Sequence, residues 1–529
     1  MRFRSGLIGA SAAISLGLLW LTEVPLGVPG EWTWNRISSA DSPLETWLGI
    51  AAACIFGTIY VAVAWLGLRR ISLAGRAERC GWLLGLGVAA FAWMLAVQES
   101  PPDGYRMSKA PWVLYYPGMT GYFFKARYEI NDTSHFIAEY QHLMAEGDVL
   151  HLGTHPPGMF LLYRGLLGLT DAVPGLVPLL NATQPDSVVK ACDVIEQGGL
   201  QSGRDFGDQD RAVLWLGALL GHASVVLAML ALWRLLRLSE SRESAWKSIC
   251  FWPLVPAVLI FLPKCDVLFT GLVATFVCCW LLAVRSRSLL LGVLAGFLGW
   301  LGLCLSLVFL PIGLVALLAG VLWLAFVDRA QSGNSLQRVL KQVARQSWRP
   351  IVGGGLMVVG LIVASGSWLE LNLVAVWKLN LANHAGFYAQ YVRTKWLWLL
   401  VNPIELVLSL GAPVAVIAML GVARAWRLRG QSNHAAESAE PAAHWLRHAG
   451  AVAVSVVWGL LWLSGKNSGE AARLWIPLMP FAVWVLPSGW SRETTDDDDS
   501  VSDHEWLTLL VLQAGTCLLT VARVTGFHF

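Results

Sequence analysis

Residues 131–158, NDTSHFIAEYQHLMAEGDVLHLGTHPPG, gather four histidines and four carboxylates in a chain that is otherwise largely apolar. A hydrophobic protein rarely concentrates titratable groups without a use for them. Carboxylates and neutral imidazoles are the side chains that take a proton from a hydroxyl. Asp132, His135 and Glu139 lie three and four residues apart, so they share a face if 128–145 is helical. The lack of Gly and Pro there, and the spacing of Ile130, Phe136, Ile137, Tyr140, Leu143 and Met144, predict such a helix. It would lie along a membrane surface with its polar face toward a cavity, where desolvation suits a carboxylate as a base. His151 and His155 have the i, i+4 spacing of a helical metal pair. Gly153 and two prolines oppose a helix there, however, and no Glu follows the first His, which disfavours metalloprotease chemistry. Pro156 and Pro157 fit the first turn of a helix, where backbone donors lack partners anyway, so His155 is expected at the mouth of a span.

Three further groups of ionisable residues border apolar runs. Lys264 and Asp266, after Pro263, begin one, and an ionisable side chain at membrane depth usually faces a cavity or a partner. Asn383, His384, Tyr388, Tyr391, Arg393 and Lys395 form a polar and aromatic cluster before another. Lys466, Glu470 and Arg473 precede LWIPLMPF, where a guanidinium beside two prolines is well placed to hold a phosphate through several donors.

These residues need spans to position them, and the composition supplies spans. The chain is 56% hydrophobic and 14% charged, with 28 Trp, and its mean hydropathy is +0.57. That places it among multi-pass membrane proteins. A net charge of +3 gives no reason to expect nucleic acid as a partner. Eight of the nine cysteines lie in or beside apolar runs and only Cys192 falls in a long polar loop, which is neither a disulfide framework nor a metal-ligand spacing.

Apolar runs near 6–28, 47–68, 80–97, 159–180, 211–236, 247–262, 265–284, 288–305, 307–327, 350–368, 396–422, 450–465, 472–488 and 505–523 predict an all-α bundle of about fourteen spans. The first run is expected to be an uncleaved span with a cytoplasmic N-terminus. Lys and Arg are concentrated in 234–247, 285–287, 328–349 and 423–448, which puts 98–155, 171–210, 369–395 and 464–472 on the outer face. The run 159–180 must then start and finish outside, as a broken pair or a hairpin. The acidic tract Asp496 to Asp499 with Asp503 falls on an inner loop and is expected to be a solvated linker. No internal repeat is present. The two sequons at Asn131 and Asn181 are at chance frequency for this length.

A loop carboxylate at Asp132, Gly147-Asp148 fifteen residues on, and His155-Pro156-Pro157-Gly158 opening the next span together resemble the GT-C class of membrane glycosyltransferases. Protein O-mannosyltransferases and the aminoarabinose transferases of lipid A belong to that class. Asp266 after a Pro is similar to an acidic residue these enzymes carry at the start of a span. Arg473 through LWIPLMP is similar to their late element of an Arg and an aromatic ahead of Pro. The resemblance spans roughly 80–490, leaving 1–79 as two additional N-terminal spans and 491–529 as the acidic loop with a last span.

The resemblance implies a lipid-linked sugar donor on a polyprenyl phosphate, an acceptor hydroxyl on the outer face, and no nucleotide sugar. It makes Asp132 the catalytic base. Thr133 stands where many relatives have a second acidic residue, which leaves Glu129 as a rival. Arg473, with Lys395 or Arg393, would neutralise the departing phosphate, and His155 would orient acceptor or phosphate. Asp148, His151, Lys264, Asp266, His384 and Glu470 would complete the substrate site. A divalent metal ion held by Asp132 and Asp266 is conceivable, but the spacing does not support it. The competing reading is a transporter or flippase of a lipid-linked or anionic substrate, but related halves and midplane charges are expected there, and here the charges sit at one face.

Overall fold

Proline and glycine decide which apolar runs become continuous helices. The computed structural model describes residues 2–38, 43–147, 151–332, 336–428, 441–490 and 501–527. Among these, eight helices are long and apolar enough to cross a membrane: Pro43–Ile71, Arg76–Gln98, Asp208–Leu236, Cys265–Ser286, Phe309–Val327, Val343–Trp368, Ala443–Leu463 and Asp503–Arg523. The pair Lys395–Leu410 and Ala412–Arg427 would make a ninth, but it is bent by 114°. The bend falls at Gly411, whose φ of 79° is one that an L side chain rarely adopts. The protein is thus an integral, multi-pass, helical membrane protein, with fewer continuous spans than the fourteen expected.

The missing spans have local causes. The run 247–262 is cut by Pro253 and Pro256 into Arg242–Ile249, a single turn Trp252–Leu254 and Pro256–Phe261, all packed inside the bundle. The run 472–488 breaks at Pro477 and Pro480 into Ala471–Leu474, Ile476–Leu478 and Pro480–Trp490. The run 159–180 becomes Gly158–Ala172 and Leu176–Asn181, divided at Pro174. The first run reaches only Trp20 as helix, fifteen apolar residues long, and leads into a hairpin. The expected helix over 128–145 begins only at Thr133 and ends at Ala145, because Asp132 adopts extended backbone and caps it, while Tyr128 closes a separate helix, Tyr122–Tyr128.

Among the described residues the hairpin belongs to a small sheet. Strand β1 (Leu26–Val28) pairs antiparallel with β2 (Trp32–Arg36), and β2 pairs with β3 (Val524–Thr525), so residues far apart in sequence meet in one small sheet.

Two polar ends cap the apolar body. At one, Arg242 donates to the Ser72 carbonyl at 2.9 Å and Arg285 to that of Leu238 at 3.2 Å. Arg447 grips Glu240 with two nitrogens. Lys247 bridges Glu243 at 2.6 Å and Asp503 at 3.0 Å. Asp503 is thereby anchored, while Asp496 to Asp499 lie outside the described residues. The helix Cys265–Ser286 runs from this end, at Arg285, to the other, at Asp266.

Candidate functional site

The second polar end is built where interrupted helices leave their termini. Lys264, extended after Pro263, is the N-cap of Cys265–Ser286, and Asp266 falls in its first turn, where the helix dipole favours a carboxylate. After the span Ala443–Leu463 the chain doubles back through Gly465, Asn467 and Gly469, all at positive φ, and delivers Glu470 and Arg473 on the four-residue helix Ala471–Leu474. Gly158 of the HPPG motif allows its helix to approach Leu289–Leu305 closely: a Cβ there would stand 2.4 Å from the Cys304 carbonyl oxygen.

Arg473 joins these pieces. Its guanidinium bonds Glu470, and its Nε lies 3.8 Å from Asp266 Oδ2, an ion-pair separation too long for a hydrogen bond. Lys264 is only 6% exposed. Its Nζ donates to the Met119 carbonyl and lies 5.9 Å from the Phe527 ring. The Tyr122 ring packs 5.4 Å from His151 and 5.9 Å from His155. The segment that carries both histidines is pinned from outside: Tyr140 donates to the His155 carbonyl at 2.7 Å, and Asn383 donates to Met144 and Gly153 carbonyls at 2.9 and 3.0 Å. His384 stacks on Tyr388 with centroids 5.5 Å apart, and the Tyr388 hydroxyl accepts from the Asn467 amide at 2.8 Å.

Burial and neighbouring cations set the charge states. Burial first, then the positive charges of Arg473 and Lys264, push His155 down to about 3, so it is neutral at pH 7. Burial and the Lys264 charge hold His151 well below the usual imidazole range, and burial lowers His384. Burial and Arg473 bring Lys264 down to about 8, still protonated at neutral pH. Burial would lower Arg473, but Glu470 and Asp266 outweigh it and raise it. Several polar atoms here are buried without a hydrogen bond: Nδ1 of His151 and His384, and Nε of Arg473. Orphaned buried donors and acceptors are costly, and a cluster of them is what a bound polar group would satisfy. Among the described residues no group of three His, Cys, Asp or Glu side chains is placed to hold a metal ion.

Beside Tyr122 and Cys265 a small pocket of about 10 Å³, room for about one water molecule, lies between Gly158–Ala172, Asp208–Leu236 and Cys265–Ser286. Met159, Leu162, Leu166, Leu220 and Leu268 line it.

The remaining expected residues are placed elsewhere. Asp132 is exposed at the rim, not desolvated. Its Oδ1 accepts from the Ser134 and His135 amides at 2.8 and 3.4 Å, leaving Oδ2 open. One turn on, Phe136 packs 5.8 Å from Phe160, which is 5.1 Å from Tyr122. Glu129 is exposed and paired with Lys125 at 2.8 Å. Arg393 is turned to the Glu31 carbonyl and Lys395 is exposed, so the cation that accompanies Arg473 is Lys264. Asp148 lies outside the described residues.

Two residues missed from sequence support the site. Glu31 accepts from the Thr394 amide at 3.0 Å and from the Trp398 indole at 2.6 Å. Glu405, 4% exposed, accepts from the Trp34 indole at 2.9 Å. A lone carboxylate inside the apolar run 396–422 was a usable signal for Glu405, whereas nothing local marks Glu31.

The bundle and its polar end define a multi-pass membrane protein with a buried, mixed-charge site. No protein-family model matches the chain, and no curated protein matches its sequence. Among solved structures the chain is similar to the oligosaccharyltransferase of Archaeoglobus fulgidus, crystallised with Zn and sulfate, at 14% identity and a TM-score of 0.34. The match covers 64% of this chain and 45% of that one, so the chain spans less than half of that protein.

Proposed function

We propose that the protein is a GT-C-type membrane glycosyltransferase that moves a sugar from a polyprenyl-phosphate carrier to an acceptor hydroxyl on the outer face, with its N-terminus cytoplasmic. The observation that carries this reading is the pairing of Lys264 and Arg473 among neutral imidazoles, one residue from the apolar lining at Pro263 and Cys265. Such a site suits a ligand with a phosphate at one end and a hydrocarbon at the other. The motif resemblance at Asp132, His155-Pro156-Pro157-Gly158, Asp266 and Arg473 supports the same reading.

In the step proposed, the acceptor oxygen attacks the anomeric carbon while its proton passes to Asp132 Oδ2. The bond from that carbon to the phosphate oxygen breaks, and its electron pair leaves with the phosphate, which changes from a monoanionic diester to a dianionic monoester. Arg473 and Lys264 stabilise that added charge. Loss of one such donor costs roughly 3–4 kcal/mol in comparable sites. Neutral His155 and His151 orient the headgroup through hydrogen bonds without adding charge, and His384 lines its other side.

The test is to purify the full chain in lipid, supply polyprenyl-phosphate sugars and measure release of carrier phosphate. The proposal expects release by the wild type and a loss of about 10²–10⁴-fold in Asp132→Asn with folding retained. Unchanged release in that variant removes Asp132 as the base. Movement of the lipid across the bilayer with no bond cleaved replaces the enzyme with a flippase.

A further inference from the structure

The buried charges at the Arg- and Lys-rich end are matched, but a group of arginines at its surface is not. Two turns meet there, 72–75 and 237–241. Arg242 donates to the Ser72 and Ala74 carbonyls at 2.9 and 3.4 Å, and Arg79 donates to the Gly75 carbonyl of the same turn at 3.2 Å. Arg237 donates to the Glu240 carbonyl on the other turn. Arg234 is exposed, three residues before Arg237. These bonds all go to neutral carbonyls, and among the described residues none of the four guanidiniums is in an ion pair.

The carboxylates nearby are committed elsewhere. Glu240 is bound by Arg447, Glu243 by Lys247 at 2.6 Å, and Glu78 accepts from the Trp82 indole at 3.4 Å. Partial burial, then the charges of Arg242 and Arg79, lower Arg237, and the opposing pull of Glu240 does not restore it.

Helix ends account for only half of this group. Arg234 falls in the last turn of Asp208–Leu236 and Arg237 follows it, where the helix dipole favours a cation. Arg79 lies among the first four residues of Arg76–Gln98 and Arg242 opens Arg242–Ile249, where the dipole opposes one. Four uncompensated guanidiniums gathered from three helix ends are a donor set suited to phosphate. The helix face that carries Arg234 continues through exposed Leu230 and Leu227. Leu73, on the turn that Arg242 holds, is exposed as well.

We propose that Arg79, Arg234, Arg237 and Arg242 form a binding site for the phosphate of an acidic phospholipid, held where the two turns meet. The lipid supplies the negative charge that the group lacks, and its acyl chains lie along Leu230 and Leu227. This group is at the opposite end of the bundle from Arg473 and owes nothing to the role given to that residue.

The test measures lipid dissociation constants by native mass spectrometry on the detergent-purified full chain, with phosphatidylglycerol and phosphatidylcholine of the same acyl chains as probes. The wild type should prefer phosphatidylglycerol by more than about tenfold, since one arginine beside an anionic lipid is worth about fivefold. Arg234→Gln, which changes an exposed side chain, should weaken phosphatidylglycerol about fivefold and leave phosphatidylcholine as it was. Adding Arg237→Gln should bring the loss to about 25-fold, and the single variant decides if the double one does not fold. Arg345→Gln removes another exposed arginine, on Leu336–Trp368, and should leave binding within about twofold. Equal binding of the two lipids by the wild type, unchanged binding in Arg234→Gln, or the same loss in Arg345→Gln as in Arg234→Gln overturns the site. Displacement of phosphatidylglycerol by an equal concentration of inorganic phosphate overturns the assignment to a lipid.

Discussion

The two polar ends of the bundle use the same residue types and leave them in opposite conditions. At the Arg- and Lys-rich end the buried charges are matched: Arg447 gives two nitrogens to Glu240, and Lys247 bridges Glu243 and Asp503. At the other end Arg473 retains a buried Nε without a hydrogen bond, and His151 and His384 each keep an unpartnered ring nitrogen. Matched buried charges are retained at little net gain and punish the loss of one partner, so the first end is sensitive in stability. Orphaned buried groups are tolerated where something else completes them, so the second end should be sensitive in function.

Four substitutions break or sharpen that contrast. The largest effect is expected for Arg473→Gln, which should reduce carrier-phosphate release per folded molecule by about 10²–10³-fold, a loss beyond what freeing Glu470 and Asp266 of their cation takes from Tm. A comparable fall in Tm would assign Arg473 to the structural class. Arg447→Ala should do the reverse. It leaves the carboxylate of Glu240, 2% exposed, without its cation. Denaturant unfolding should show a loss of about 3 kcal/mol, the low end of the range because Arg447 is itself 30% exposed, with release per folded molecule preserved.

A smaller and pH-dependent effect is expected at Lys264. Burial lowers this ammonium to about 8, so it is charged below that pH and neutral above it. Release should therefore fall as the pH rises through 8, and Lys264→Arg, which keeps its charge, should carry activity to pH 9. An unchanged alkaline limb in that variant would take Lys264 out of the phosphate site. The smallest effect is expected for Lys395→Ala, because that side chain is exposed. Release should stay within about twofold, as is usual for an exposed charge, and a larger loss would return Lys395 to the site.

How much of this was legible in the sequence varies with the range of the interaction. Hydropathy located the apolar runs, because burying or lipid-solvating a side chain depends on its own chemistry. It overcounted the spans, because whether a run stays one helix depends on single residues such as Gly411, Pro253 and Pro477 and on what packs across them. Lys264, Asp266, Glu470 and Arg473 stood out as charges beside apolar runs, and the fold brings those four together. Asp132 drew attention as a carboxylate, but its first use is the local one of capping a helix, and its desolvation was not to be had from spacing. Arg393 and Lys395 looked equivalent to Arg473 on paper. Their separation follows from Glu31, more than three hundred residues away, whose carboxylate captures the turn at Thr394. Contacts of that range leave no local trace.

The pairing of β2 with β3 imposes an order on assembly. Residues 524–527 are translated after the candidate spans, yet Asn35 pairs with Thr525 in the sheet and donates to the Phe527 carbonyl at 3.3 Å, and the ring beneath the Lys264 ammonium belongs to Phe527. A nascent chain can therefore insert these candidate spans and still lack one wall around its buried cation, so that polar end closes only after the last of them, Asp503–Arg523, has been made.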